Sequence, residues 1–120
     1  MAIIGSHMLI YTSEPEALRA TLRDVFELSH VDAGEGWLIF RLPPAEVGVH
    51  PAGPGETSHH LSFMCDDISQ TVADLSARGI TFTGPPEDHG YGIVTVMELP
   101  GGVHAQLYQP RHPLAIDTSS

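Results

Sequence analysis

Basic charge is what this sequence has least of. Lysine is absent, and five arginines stand against 15 acidic residues, so the 120-residue chain carries a formal net charge of -10. Nucleic-acid binding needs a basic face that neutralises phosphates, and attraction to an anionic membrane needs basic charge as well. We therefore expect neither nucleic acid nor a membrane among the partners.

Cysteine and long apolar runs are also scarce. The single cysteine, Cys65, has no partner for an internal disulfide, and the sequence contains no Cys/His zinc spacing. No apolar run approaches the roughly 20 residues that span a bilayer, and the first residues lack the order of a secretory signal. These features predict a cytoplasmic protein. The length and the 42% hydrophobic content fit one domain with a real core.

The same order of predicted elements occurs twice along the chain. In each half a helix start signal follows a first strand, at residues 13–16 with Pro15 and at residues 67–70 with Asp67. The apolar stripes that follow at helical spacing are Leu18, Leu22 and Val25, then Ile68, Val72 and Leu75. The predicted strands are residues 3–12, 37–42 and 46–50 in the first half, and 60–65, 80–83, 93–99 and 103–108 in the second.

This repetition predicts a single domain over residues 1–112. Module one would cover about residues 3–51, a linker rich in proline and glycine residues 52–58, and module two about residues 59–110. Residues 113–120 are expected to form a flexible tail. Gly5-Ser6-His7-Met8 also matches the scar left by removal of a purification tag, and in that case His7 has no functional meaning.

Four segments carry a family resemblance. They are the histidine-led strand His60 to Asp67, the helix-to-strand step Ala77 to Ile80, the turn Leu99 to Gly102 and the closing strand Ala105 to Tyr108. With this order and spacing the chain resembles the vicinal oxygen chelate superfamily of glyoxalases, bleomycin-resistance proteins and extradiol dioxygenases. The resemblance implies an α+β fold of two βαβββ modules, with a curved mixed sheet around a central cavity and the helices outside.

Alternation of side chains along each strand sorts the residues of such a sheet into two faces. It predicts that Leu61, Phe63 and Cys65 pack under the helix, and that His60, Ser62 and Met64 face the cavity. His7, Leu9 and Tyr11 take the cavity-facing positions in the first half. The residues that we predict to line the ligand cavity are Tyr11, Trp37, His50, Tyr91, His104 and Gln106.

A metal site is implied by the resemblance only in part. Metal-binding members usually draw one ligand from the first strand and one from the last strand of each module, typically histidine and glutamate. His7 and His60 match the first-strand positions, but Gly48 and Gln106 stand at the last-strand positions. Loss of both carboxylates weakens the hold on a divalent ion such as Fe, Ni, Zn or Mn. A two-residue change of register would instead offer Glu46, or a cluster of His7, His50, His60 and His104.

The predicted function is binding of a small organic molecule by a glyoxalase or bleomycin-resistance type protein with a degenerate metal site. The alternative is a metal-dependent lyase, isomerase or dioxygenase acting on a substrate with vicinal oxygens. A third hypothesis is that the cavity serves as a dimer interface or a regulatory pocket. Because short chains of this superfamily often pair, we expect a homodimer. Cys65 is expected to pack in the core, and His30, His59, His89 and His112 are expected at the surface.

Overall fold

The computed structural model describes residues 7–49, 51, 53–55 and 58–117. Its two α-helices are α1 (Pro15–Asp24) and α2 (Ile68–Ala77). The strands are β1 (His30–Asp32), β2 (Leu38–Phe40), β3 (Ser62–Met64), β4 (Thr81–Phe82), β5 (Glu87–Asp88), β6 (Gly92–Leu99) and β7 (Val103–Pro110). A 3-10 helix follows at Ala115–Asp117. No helix in the described part of the chain is long and apolar enough to cross a membrane.

Helix α2 begins and ends where its sequence signals predict. The side chain of Asp67 caps the helix, since one of its carboxylate oxygens accepts a hydrogen bond from the backbone N–H of Gln70 at 3.1 Å. Ile68, in the first turn, is buried. Gly79 follows the helix with a φ of 95°, a left-handed conformation that glycine adopts at no steric cost. Local sequence therefore defines both ends of α2.

Helix α1 begins differently from its prediction. Its N-cap is Glu14 rather than Ser13, and the Glu14 side chain makes no capping hydrogen bond. The Glu14 backbone N–H instead donates to Thr12 Oγ1 at 3.2 Å. The Glu14 carboxylate accepts from the backbone N–H of Gly101 at 2.9 Å, in the turn between β6 and β7. The start of α1 thus depends on a contact with the second half of the chain.

Among the described residues, the larger sheet is built from the second half of the chain. Its strands lie in the order β3-β7-β6-β4, and β5 also pairs with β6. Strands β3 and β7 run parallel, with Ser62 opposite Gln106, whereas the other pairs are antiparallel. This arrangement confirms the predicted mixed sheet and the α+β class.

The hydrophobic core lies between the helices and one face of this sheet. Its buried members are Leu18, Ile68, Ile80, Met97, Leu99, Ala105 and Leu107. Partly buried residues from both predicted helical stripes and from β3 pack against them, namely Leu22, Val25, Leu61, Phe63, Cys65, Val72 and Leu75. The core therefore confirms the stripes, and it confirms that Leu61, Phe63 and Cys65 share the helix side of the sheet.

The first half forms fewer strands than predicted. Residues 7–12 of the predicted first strand and residues 46–49 of the predicted closing strand are not in strands, and residues 1–6 and His50 lie outside the described residues. Strand β1 was not predicted; it pairs with β2 in a separate two-stranded sheet. A β-favouring segment becomes a strand only where another strand supplies hydrogen bonds. In the structure β1 and β2 supply them to each other across a short turn.

Candidate functional site

The face of the larger sheet that lies opposite the helices is the first candidate for a ligand site. Ser62, Met64, Gln106 and Tyr108 share this face, because they alternate with Phe63 and Leu107 of the core. We call these four residues the cavity face, because the family resemblance predicts the ligand cavity on this side of the sheet. Ser62 lies opposite Gln106, and Met64 lies opposite Tyr108. The predicted inward orientation of the even-numbered side chains of β3 agrees with this pairing.

A hydrogen bond joins the two shorter polar side chains of the cavity face. The Ser62 hydroxyl donates to Oε1 of Gln106 at 2.9 Å, and the pair is part-buried. Gln106 is a predicted cavity residue, at a position where the family resemblance leads one to expect glutamate. Because Ser62 engages the amide oxygen, the amide Nε2 group is the donor that Gln106 can offer to a ligand.

An aromatic cluster adjoins this pair at the end of β7. The rings of Tyr91 and Tyr108 lie 6.3 Å apart between centroids in an edge-on arrangement, and the ring of His112 lies 6.1 Å from that of Tyr108. The Tyr108 hydroxyl is 3.4 Å from Nε2 of His112. Tyr91 was predicted to line the cavity, whereas Tyr108 and His112 were not. Carrying the alternation two residues past Gln106 would have found Tyr108.

The environment of Tyr108 keeps its hydroxyl protonated. Burial raises the pKa of Tyr108, and the negative charge of the Glu46 carboxylate raises it further. Glu46, a candidate ligand in the shifted register, accepts a hydrogen bond from the backbone N–H of Ala115 at 2.8 Å. The aromatic cluster therefore lies near a carboxylate of the first half and near the chain that follows β7.

The remaining described residues among those predicted to line the cavity are all exposed, namely Tyr11, Trp37 and His104. Tyr11 is 88% exposed, and Trp37 is half-exposed in the turn that enters β2. Within the described ranges, no hydrogen bond or ring contact links either side chain to the cavity face. His104 is exposed on β7, where it lies opposite Glu98 of β6. His50 lies outside the described residues.

The donors at the predicted metal positions do not form the family's ligand set. His7 and His60 are both exposed, and Nε2 of His60 is 3.3 Å from the Ser58 hydroxyl. Gly48 has no side chain, and Gln106 presents an amide that is hydrogen-bonded to Ser62. Within the part of the chain that the structure describes, no three His, Cys, Asp or Glu side chains come together as a metal-binding group. The donor chemistry does not fit a two-histidine, two-glutamate centre.

Comparison with known families identifies the chain at the level of a superfamily. The model of the Glyoxalase/Bleomycin resistance protein/Dioxygenase superfamily matches residues 6–107. The chain belongs to this superfamily. The match spans both halves, so the family assignment covers the first half as well as the larger sheet. No curated protein matches the sequence.

Solved structures of this superfamily share the fold at low sequence identity. TnmS3, described as an antibiotic-binding protein from a Streptomyces species, is 22% identical, with a TM-score of 0.67 over 92% of this chain and 98% of that chain. A superfamily member from Sphaerobacter thermophilus is 22% identical, with a TM-score of 0.62 over 91% and 99%. A lactoylglutathione lyase from Agrobacterium tumefaciens is 19% identical, with a TM-score of 0.64 over 91% and 94%. Likeness at these identities establishes the fold alone.

Proposed function

We propose that this superfamily member binds a small organic molecule at the cavity face and does so without the family's metal centre. The observation that carries the proposal is the Ser62–Gln106 hydrogen bond beside the ring of Tyr108. A site with a few fixed polar groups next to aromatic surface is typical of small-molecule binding.

The chemistry of these groups indicates how a ligand would be held. Gln106 would donate from its amide nitrogen to an acceptor on the ligand, such as a carbonyl oxygen. Tyr108, with its raised pKa, would act as a neutral hydroxyl. The rings of Tyr91 and Tyr108 would supply apolar and aromatic contact. The ligand that fits best carries a ring and at least one hydrogen-bond acceptor.

A known relative supports binding as a function of this fold. TnmS3 is described as an antibiotic-binding protein. If this chain acts in the same general way, it would hold an antibiotic or a similar metabolite and lower its free concentration. Sequestration of this kind requires affinity for the ligand, and it requires no chemical step.

Calorimetry on aromatic antibiotics would test the proposal. A thermal-shift screen selects ligands, and titration calorimetry then gives the Kd for the native protein and for the variants Gln106→Leu and Tyr108→Leu. We expect each substitution to weaken binding by at least tenfold. The control is Gln70→Leu, which makes the same chemical change on the exposed surface of α2. Equal Kd values for the native protein and both cavity-face variants would refute the site.

The alternative function is a metal-dependent lyase, isomerase or dioxygenase. It is favoured by the histidines at both first-strand positions and by the similar fold of a lactoylglutathione lyase. Metal analysis decides between the two functions when nickel, zinc, iron and manganese are offered separately to untagged protein. Our proposal expects no stoichiometric metal in any of the four samples. One ion per chain that is lost in His60→Ala would favour the alternative.

We also propose a homodimer, acting in the cytoplasm. The first half exposes the apolar side chains of Val47 and Val49, 89% and 93% exposed, in a segment predicted to be a strand. Apolar surface of this kind is typical of contact sites. Size-exclusion chromatography with light scattering is expected to give twice the 12.9 kDa mass of the chain. A monomer at every concentration would contradict the proposed homodimer. Fractionation of the source cells would test the proposed cytoplasmic location.

A further inference from the structure

A hollow opens on the helix side of the larger sheet, next to the edge strand β3. It has a volume of about 250 Å³. Its walls come from the residues that follow α1 and β2, from α2 and from the sheet with the residue after β3. They consist of Val25, Phe26, Leu28, Pro43, Phe63, Met64, Cys65, Thr71, Leu75, Met97 and Leu107. We call this hollow the helix-side cavity. We propose that it binds a small uncharged aromatic molecule of one or two rings.

The polar groups of the helix-side cavity are already engaged within the protein. The Cys65 thiol donates to the backbone oxygen of Tyr108 at 3.6 Å, and the Thr71 hydroxyl donates to the backbone oxygen of Asp67 at 2.7 Å. Burial raises the pKa of the Cys65 thiol, so the sulfur is neutral near pH 7. No charged side chain is among the lining residues. A charged or strongly polar ligand would therefore lose its hydration and gain no partner.

The size and the walls favour an aromatic ligand. An apolar cavity of about 150 Å³ takes up benzene, so the larger volume leaves room for a second ring. The rings of Phe26 and Phe63 lie 5.3 Å apart between centroids at 56°, and they offer both edge and face contacts.

An occupant would also shield apolar side chains of the core from water. Apolar surface that borders an open hollow is hydrated, and its burial by a ligand is favourable. Phe26, Phe63 and Leu75 line this hollow and are only partly buried. A ligand in the helix-side cavity would therefore complete the packing between the helices and the sheet.

The helix-side cavity and the cavity face share one residue, Met64, at the end of β3. Their other residues are separate, since Phe63 and Leu107 line the former, whereas the neighbouring residues Ser62 and Gln106 belong to the latter. These neighbours lie on opposite sides of the same pair of strands. Loss of one site would leave the other in place, so the two proposals can fail separately.

The single cysteine gives a direct test on the native protein. We expect saturating naphthalene to slow the reaction of Cys65 with N-ethylmaleimide at least fivefold, because both compete for the same space. Naphthalene-2-sulfonate is the matched control, and its charge should prevent protection. An unchanged rate with naphthalene, or equal protection by the sulfonate, would overturn the proposal.

Variants that fill the cavity give the second test. Naphthalene is expected to raise the Tm of the native protein, and this rise should disappear in Cys65→Phe and in Thr71→Leu. Thr71→Leu is the smaller change, and it serves if Cys65→Phe does not fold. Gln106→Leu, on the cavity face, should keep the full rise. An undiminished rise in a folded filled variant, or its loss in Gln106→Leu, would contradict the assignment to this cavity.

Discussion

The second half of the chain supplies six of the seven buried residues of the described core, whereas the first half supplies one, Leu18. Strands β6 and β7 form a ladder of eight residue pairs, and the β1–β2 ladder has three. Val94, Met97 and Leu99 of β6 are buried, whereas all three residues of β1 are exposed. Two halves with the same predicted order of elements therefore differ strongly in the length of their described strand ladders and in the burial of their strand residues.

This difference between the halves indicates that a β-favouring segment forms a strand only where it has a pairing partner. Residues 7–12 and 46–49 contain β-favouring residues, namely Ile10, Tyr11 and Thr12, then Val47 and Val49, yet they are not in strands. Strand β6 has partners on both sides, in β7 and in β4 and β5. Since hydrogen bonds and cross-strand contacts stabilise a sheet jointly, we expect stability to depend mainly on the second half.

The largest expected effect comes from truncating the centre of that half. Met97→Ala removes a side chain with 0% exposure and should lower the free energy of unfolding by about 2–5 kcal/mol. The matched control is Val47→Ala in the first half, where we expect a change within about 0.5 kcal/mol. Urea denaturation measures both. Similar losses of unfolding free energy in the two variants would contradict the expectation that stability depends mainly on the second half.

A smaller effect is expected where the halves touch. Gly101 and Gly102 both have positive φ, so alanine at either position costs about 1–2 kcal/mol. A Cβ at Gly101 would also collide with Thr12 Oγ1, whereas one at Gly102 meets nothing within 4 Å. Overpacking should add about 1–3 kcal/mol in Gly101→Ala alone. Calorimetric Tm values that are equal in the two variants would mean that the halves are not held in contact at this turn.

The two helix starts should differ by about 1 kcal/mol. Asp67→Ala removes the side chain that caps α2 and should cost about 1 kcal/mol. Ser13→Ala should change the free energy of unfolding by less than about 0.5 kcal/mol, because Ser13 is not the cap of α1. Guanidinium denaturation of both variants measures these two changes in the free energy of unfolding. An equal loss in Ser13→Ala would show that serine does cap α1.

The smallest effect concerns acid stability. Hydrogen bonds from Arg111 and from the backbone N–H of Gly90 lower the pKa of Asp88, and a hydrogen bond from Arg23 lowers that of Asp24. A lowered folded-state pKa stabilises the fold above the unfolded-state pKa, and this contribution is lost as the pH falls through the folded-state value. Asp88→Asn should therefore reduce the fall of Tm as the pH is lowered from neutral into the acid range, so that the plot of Tm against pH is flatter there.

Asp24→Asn is the matched control in the first half. Arg23 and Asp24 are adjacent in sequence, so they can also pair in the unfolded chain, whereas Asp88 and Arg111 are 23 residues apart. We expect Asp24→Asn to leave the profile between about pH 7 and about pH 2 nearly unchanged. A larger flattening in Asp24→Asn than in Asp88→Asn would reverse this expectation.

Much of the second half could be predicted because its signals are local. Asp67 and Gly79 delimit α2 by capping and by a left-handed turn, and alternation assigns Phe63 to the core and Ser62 to the opposite face. The segments at residues 7–12 and 46–49, which were predicted to lie in strands, could not be judged in the same way. Whether they form depends on a partner elsewhere, and local propensity carries no information about that partner.

The candidate site was predictable to a similar degree. Alternation and family resemblance indicated Gln106, and the absence of a carboxylate at that position was visible in the sequence. The Ser62–Gln106 bond depends on the parallel register of β3 and β7 across 44 residues. Tyr108 was missed because the alternation was not followed to the end of β7. His112 was expected at the surface because it follows the strand.

The sequence by itself determined the α+β class, the superfamily, the capped helix α2 and the face to which each β3 side chain belongs. The cap of α2 and the faces of β3 follow from neighbours within a few residues, where backbone geometry fixes the period of side chains. The class and the superfamily follow from the order and spacing of such local segments along the chain. Only the tertiary structure decided which strand-like segments pair, that Gln106 bonds Ser62 and that Tyr91 joins Tyr108. Such contacts join residues far apart in sequence, so they arise only when packing and register bring those residues together.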